Sequence, residues 1–149
     1  MKAVIQRVRG ASVAIAGETV STIHRGLVVL VGVSKDDTQQ DVSILVDKIK
    51  NMRIFSDENG KMNRSIQDID GEILVVSQFT LLADVNSGRR PSLSNAALPA
   101  IAEKMYTQVI DLFKTVTAKV REGRFKEHMD VSLVNDGPVT FVVDTKELQ

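Results

Sequence analysis

No cysteine occurs in the 149 residues. That excludes a disulfide framework, a thiolate nucleophile and a cysteine-ligated metal, and it fits a reducing compartment. No net charge is present either, since 19 Lys and Arg balance 19 Asp and Glu. Nothing in that average points to a nucleic-acid binder, so any basic surface must be local. Long apolar runs are absent as well. The longest, Leu27 to Val33, is interrupted by Gly32, whereas a membrane span needs about 20 residues. The opening Met1-Lys2-Ala3-Val4-Ile5-Gln6-Arg7 lacks the apolar centre of a signal peptide. The expectation is a soluble, cytoplasmic protein with no membrane partner.

Several common chemistries are missing too. No GxGxxG follows a strand and no GxxxxGK[ST] occurs, which argues against nucleotide binding by those loops. The two histidines, His24 and His128, have no His or Cys at ligand spacing, which argues against zinc. His24 reads as a surface turn and His128 as a solvated loop. There is no GxSxG elbow, although a Ser-His-Asp triad is recognised by geometry and not by sequence order. Asp57-Glu58 reads as a turn. No metal and no cofactor are expected.

What is present is an ordinary globular balance, 43% hydrophobic and 26% charged. The length suits a single domain over residues 1–149 with a real core. Val4, Ile5 and Val8 predict a first strand turning at Arg9-Gly10. Ser12 to Ala16 predicts a second, with Gly17-Glu18 as a hairpin turn into Thr19 to Ile23. Leu27 to Val31 is a continuous apolar run of the kind found in fully buried strands. Thr38 can cap a helix, and Val42, Leu45, Val46 and Ile49 recur at helical spacing. Ser65-Ile66 reads as a short strand and Glu72 to Phe79 as a longer one. Asp84 to Asn95 reads as a polar loop. A second helix follows, capped by Ser94 or Asn95, with Pro99 in its first turn. Its stripe includes Ile101, Met105, Val109, Leu112, Phe113 and Val116. Two last strands, Asp130 to Val134 and Val139 to Asp144, flank Asn135-Asp136-Gly137-Pro138. Strands outnumber helices and hairpins recur. The expected fold class is α/β in the α+β sense: one mixed or antiparallel barrel-like sheet flanked by two helices.

Two segments break local rules. Ser77-Gln78-Phe79-Thr80 ends an apolar strand with polar side chains. Gly137-Pro138 interrupts a β-branched run, although Pro cannot donate to a sheet ladder and Gly weakens a strand interior. Such violations in a core-like setting are where function tends to sit. The ordinary reading of the first is a strand end, and of the second a turn or bulge. A sharper reading of Gly137-Pro138 rests on the accessibility of cis X-Pro bonds. A cis bond would turn successive carbonyls to one side, where they could accept hydrogen bonds from a ligand ammonium. Thr80 is a weak nucleophile that needs a base, and none is visible in the sequence. Basic residues cluster at Lys48, Lys50 and Arg53, at Arg89-Arg90, and at Lys119, Arg121, Arg124 and Lys126. Each cluster alone reads as a solvated face, and together they leave room for a phosphate-binding surface.

With Val76-Ser77-Gln78-Phe79-Thr80-Leu81, Gly88-Arg89-Arg90-Pro91-Ser92 and Asn135-Asp136-Gly137-Pro138-Val139-Thr140, the chain resembles the D-aminoacyl-tRNA deacylases from end to end. Lys126-Glu127-His128 departs from the Gly-Ala type of spacing associated with that family. The resemblance implies a metal-independent hydrolase that cleaves the ester between a D-amino acid, or glycine, and the 3′-terminal adenosine of tRNA. It implies a homodimer with each active site at the interface. There Gly137 and Pro138 of one subunit, in cis, reach the Ser77–Thr80 pocket of the other and exclude L-aminoacyl esters. Gln78 and the Phe79 backbone position the scissile carbonyl. Phe125 and Met129 line the adenosine or aminoacyl pocket, while Arg7 fixes the Gly-Pro segment, which begins at Asn135. Either Thr80 or the tRNA 2′-hydroxyl drives the attack. A non-catalytic nucleic-acid-binding module of the same fold is the competing expectation.

Overall fold

The computed structural model describes residues 1–148, which form eight strands and two α-helices. In chain order these are β1 (Lys2–Ile15), β2 (Glu18–Ile23), β3 (Gly26–Gly32), α1 (Gln39–Asn51), β4 (Phe55–Ser56), β5 (Met62–Arg64), β6 (Glu72–Ser77), α2 (Pro99–Val116), β7 (Val120–Glu122) and β8 (Asp130–Asp144). The main sheet runs β2-β1-β3-β6-β7, and β8 pairs with β1. The β1 ladders are antiparallel, whereas β3–β6 and β6–β7 are parallel. Along one edge β1 pairs first with β3, from Lys2 to Val8, and then with β2, from Ala11 to Ile15. β8 follows its other edge. The Ser21 hydroxyl of β2 donates to the Glu122 carbonyl of β7 at 2.5 Å and draws the sheet towards a closed barrel.

The sheet is buried on both faces, which is why β3 and β6 read as unbroken apolar runs. Leu27, Val29, Ile73 and Val75 pack under the helices with Leu45, Ile49, Val109 and Phe113. Val28, Leu74 and Val76 point the other way, into a barrel interior shared with Val8, Ala11, Val13 and Ile23. β1 contributes to both cores. Ala3 and Ile5 belong to the helix-facing one, while Ala11 and Val13 belong to the interior one. The register of β1 against β8 is irregular between Gln6 and Gly10, where the strand passes from one core to the other.

α1 begins where the sequence places it. The Thr38 N–H donates to Asp41 Oδ2 at 2.8 Å and the Thr38 hydroxyl does so at 3.0 Å. This reciprocal cap satisfies donors left open at a helix start.

Several expectations are corrected. Arg9-Gly10 is no turn but lies within the continuous β1, because β8 supplies a partner along that edge. The hairpin turn is Ala16-Gly17, both at positive φ, and Glu18 already starts β2. The short strand is Met62–Arg64, since the Ser65 N–H and hydroxyl are taken by Asp68 Oδ2 at 2.7 and 2.9 Å. α2 starts at Pro99 and not at Ser94 or Asn95. The Asn95 carbonyl is committed to the Lys35 N–H at 3.0 Å, which holds that stretch against the β3–α1 connection. The buried stripe of α2 is Tyr106, Val109, Ile110 and Phe113, and Ile101 is 50% exposed. β8 is one strand and not two.

Candidate active site

β6 ends at Ser77 because Gln78, at φ −140° and ψ 77°, turns the chain out of the ladder. Its N–H still donates to the Val31 carbonyl at 2.7 Å. A single 3-10 turn, Phe79–Leu82, follows, so the strand expected to reach Phe79 stops two residues sooner. Gly32 admits this turn: a Cβ there would lie 2.4 Å from Leu82 Cδ2 and 2.9 Å from the Gln78 carbonyl oxygen. The Gln78 amide donates to the Thr80 hydroxyl. No carboxylate or imidazole hydrogen-bonds to Thr80 among the described residues. Nor do the backbone N–H groups of Phe79 and Thr80 meet an acceptor among those residues. They resemble the open donors at any helix start.

Beside this turn lies a cleft of about 350 Å³. One wall carries Ser77 and Phe79, and a second carries Phe125, Lys126, Glu127 and Met129. The Ala96-Ala97 segment, Pro99 and Ala102 close it. The second wall is well supported. The Tyr106 hydroxyl donates to the Val75 carbonyl at 2.9 Å, and its ring stands 6.0 Å from that of Phe125. Burial pushes the Tyr106 hydroxyl well above its ordinary pKa, so it remains a donor. Met129 is seated against Gly123, where a Cβ would come within 2.6 Å of its sulfur. Sequence reading missed Tyr106 and the alanine wall. Tyr106 is the sole tyrosine of the chain, and its place on the buried stripe is its one sequence signal.

Gly137-Pro138 lies elsewhere on the subunit. In the β1–β8 ladder Gln6 faces Thr140 and Val8 faces Asn135, so residues 136–139 bulge out opposite Arg7 alone. The Gly137-Pro138 peptide is cis. Arg7 is buried, and its Nε donates to the Asp136 carbonyl at 3.1 Å while Nη1 donates to the Ile54 carbonyl at 2.6 Å. Asn135 closes the bulge. Its Oδ1 accepts the Val139 N–H at 2.8 Å and its Nδ2 donates to the Thr140 hydroxyl at 2.8 Å. Gly137 and Pro138 themselves are exposed.

The structure therefore brings Ser77, Phe79, Phe125 and Met129 into one cleft, with Gln78 and Thr80 on its adjoining turn. It holds Arg7 and Asn135 with Gly137-Pro138, away from that cleft. Ser77 is level with Val31, Ala3 and Val143 on successive strands. Three ladder steps of that kind span roughly 14 Å, and Gly137 lies farther along β8 still. Among the described residues no group of three or more His, Asp or Glu side chains gathers as a metal site.

A nearly closed mixed sheet, helices on one face and a cleft edged by open main-chain donors define this chain as a single mixed α/β domain. A solved structure described as "c-Myc DNA Unwinding Element Binding Protein" matches it with a TM-score of 0.92 and 41% identity, over 97% of this chain and 98% of that one. Another, described as "a probable eukaryotic D-amino acid tRNA deacylase", shares the fold at a TM-score of 0.83 with 15% identity, over 95% and 97% of the two chains. Residues 4–144 match the family described as D-Tyr-tRNA(Tyr) deacylase, and the chain belongs to that family. Among its relatives, the D-aminoacyl-tRNA deacylase of Thermosipho africanus is 55% identical, over 99% of both chains. The one from Thermotoga petrophila is 51% identical, also over 99% of both.

Proposed function

We propose that this protein is a D-aminoacyl-tRNA deacylase, a hydrolase that cleaves the ester between a D-amino acid, or glycine, and the 3′-terminal adenosine of tRNA. The observation that carries the reading is the cleft in which Ser77 and Phe79 meet Phe125 and Met129 beside main-chain N–H groups that have no acceptor among the described residues. Two phenyl rings suit the flat terminal nucleoside. Water adds to the ester carbonyl with help from the tRNA 2′-hydroxyl. The oxyanion that develops accepts a hydrogen bond from the Phe79 N–H, with Gln78 orienting the group beside it. Collapse expels the ribose oxygen and frees the amino acid. Thr80 shapes this turn and does not attack, because its hydroxyl has no base to take its proton among the described residues.

The cleft on its own has no chirality selector. Gly137 and Pro138 serve that role from a second subunit, their carbonyls meeting the substrate ammonium and refusing the L ester. Two observations favour a homodimer with the site at its interface. The selector segment is exposed and sits strands away from the cleft of its own chain. β8 offers an outer edge with no partner among the described residues, with Val134 and Val142 exposed along it. Arg7 and Asn135 hold the selector in shape. The whole activity resides in one domain, residues 1–149, and works in the cytoplasm, where aminoacyl-tRNA is found. No helix among the described residues is long and apolar enough to cross a membrane.

A second reading, a nucleic-acid-binding module of the same fold, draws on the DNA-binding description of one solved structure. Purified protein given matched D-Tyr-tRNA and L-Tyr-tRNA separates the two. The deacylase releases D-Tyr and leaves L-Tyr-tRNA intact. Binding of tRNA with turnover of neither would install the binding module instead.

A further inference from the structure

We propose that Lys126, Lys35 and the Arg89-Arg90 pair form a cationic rim that grips the phosphates of the single-stranded 3′ end of tRNA. The cleft itself takes the terminal nucleoside and ester, so this inference rests on the deacylase reading of that cleft.

Lys126 lines the cleft, and the segments that carry Lys35 and Arg89-Arg90 adjoin two of its walls. Lys126 is held at φ 65° in the turn between β7 and β8. Lys35 stands at the wall made by Ala96 and Ala97. Its N–H donates to the Asn95 carbonyl at 3.0 Å, and the neighbouring Ser34 pairs with Ala96. Arg89 and Arg90 ride on the loop that leaves the Phe79–Leu82 turn. The base of that loop is fixed by reciprocal Asp84–Ser92 backbone bonds of 2.8 and 2.9 Å.

None of the four is in an ion pair among the described residues, whereas Lys114, Lys119 and Lys146 elsewhere on the surface are. The carboxylate at the base of the Arg loop, Asp84, is occupied by the N–H and side chain of Asn86 at 2.9 and 2.8 Å. Among the lining residues Glu127 is the one acid. In a chain of zero net charge, exposed cations without an acidic partner on the segments that border an aromatic cleft suit a polyanion. A basic track beside aromatic stacking faces is how single-stranded nucleic acid is held. The cleft takes the nucleoside and the rim takes the chain that follows it.

The test is the salt dependence of binding to uncharged tRNA, for the intact protein and for the double variant Lys35→Gln, Lys126→Gln. All these side chains are exposed, so the fold persists. Losing two single-strand phosphate contacts should lower the slope of log K against log salt by about 1.4. Arg89→Gln with Arg90→Gln should lower it similarly. Against tRNA lacking its single-stranded 3′ end, variant and parent should bind alike. With D-tyrosyl-tRNA the loss in kcat/KM should exceed, at least tenfold, the loss with phosphate-free D-tyrosyl-adenosine. An unchanged slope would overturn the rim. So would equal weakening towards truncated tRNA or duplex DNA, which marks a non-specific polyanion surface. Should the parent hydrolyse neither ester, the deacylase reading falls, and the slopes still decide the rim.

Discussion

Thr80 and Gly137 carry the sharpest predictions at the scale of single residues. Among the described residues the Thr80 hydroxyl hydrogen-bonds only the Gln78 amide. Thr80→Ala should keep kcat for D-aminoacyl-tRNA within about tenfold of the parent, against the roughly 10⁴- to 10⁶-fold loss that removing a nucleophile brings. Single-turnover kinetics check this, and a fully dead yet folded variant would restore Thr80 as nucleophile. Gly137 sits at φ 135°, and a Cβ there would stand 2.6 Å from Val139 Cγ2 and 3.0 Å from the Val139 nitrogen. Gly137→Ala must therefore shift the segment. Because small displacements of positioning groups are costly, the D-over-L ratio of kcat/KM should fall by about tenfold or more. Continued silence on L-Tyr-tRNA, with the D activity intact, would remove Gly137 from the selector.

Asp41 acts at the scale of elements, at the start of α1. Its carboxylate accepts from the Thr38 N–H, the Thr145 hydroxyl at 2.6 Å and Lys146 Nζ at 3.0 Å. The Met1 amine stands 2.7 Å from the neighbouring Asp37. The network thus ties β1, α1 and the chain following β8. Burial works to raise the Asp41 pKa, but the hydrogen bonds from Thr145, the Thr38 backbone, Lys146 and the Thr38 hydroxyl outweigh it. They hold the group well below the usual carboxylate range. A depressed folded pKa means stability that is present above about pH 4, the unfolded value, and lost as pH falls through the lower folded one. Asp41→Asn should cost about 3 kcal/mol at neutral pH. Denaturant titrations at pH 7 and pH 2.5 should show that deficit shrinking in acid, and an equal deficit at both would refute the assignment. α1 was legible because its cap, Thr38, and its apolar spacing agree. α2 was legible only in part, since Ser94 and Asn95 have the chemistry of a cap but Asn95 is held by Lys35 of the β3–α1 connection, which no local pattern encodes. β8 read as two strands because Pro138 cannot join a ladder. It survives as one because the ladder resumes on either side of a bulge, and that depends on β1. The cleft-side members Ser77, Phe79, Phe125 and Met129 came from motif resemblance. Tyr106, which backs Phe125, belongs to packing alone and left no motif to read.

For the whole molecule, the separation of the cleft from Gly137-Pro138, the selector proposed above, makes a prediction about mixing. One variant with a damaged cleft, Gln78→Ala, and one with a damaged selector, Gly137→Ala, should complement each other after dissociation and reassociation. In a statistical mixture of symmetric dimers, about a quarter of the sites unite an intact cleft with an intact selector. Chiral D-specific activity returning towards that fraction would establish sites shared between subunits, and no gain over the separate variants would refute them. β1 carries a consequence of another kind. The barrel interior holds seven buried side chains, too few to sustain a core of its own, and it persists because β1 continues into the helix-facing one. The two cores are thus a single cooperative body with its joint between Gln6 and Gly10, where Arg7 meets the bulge of β8. Mutational drift in either core reaches that joint through one unbroken backbone, so the fidelity of such an enzyme and its thermal endurance are inherited together.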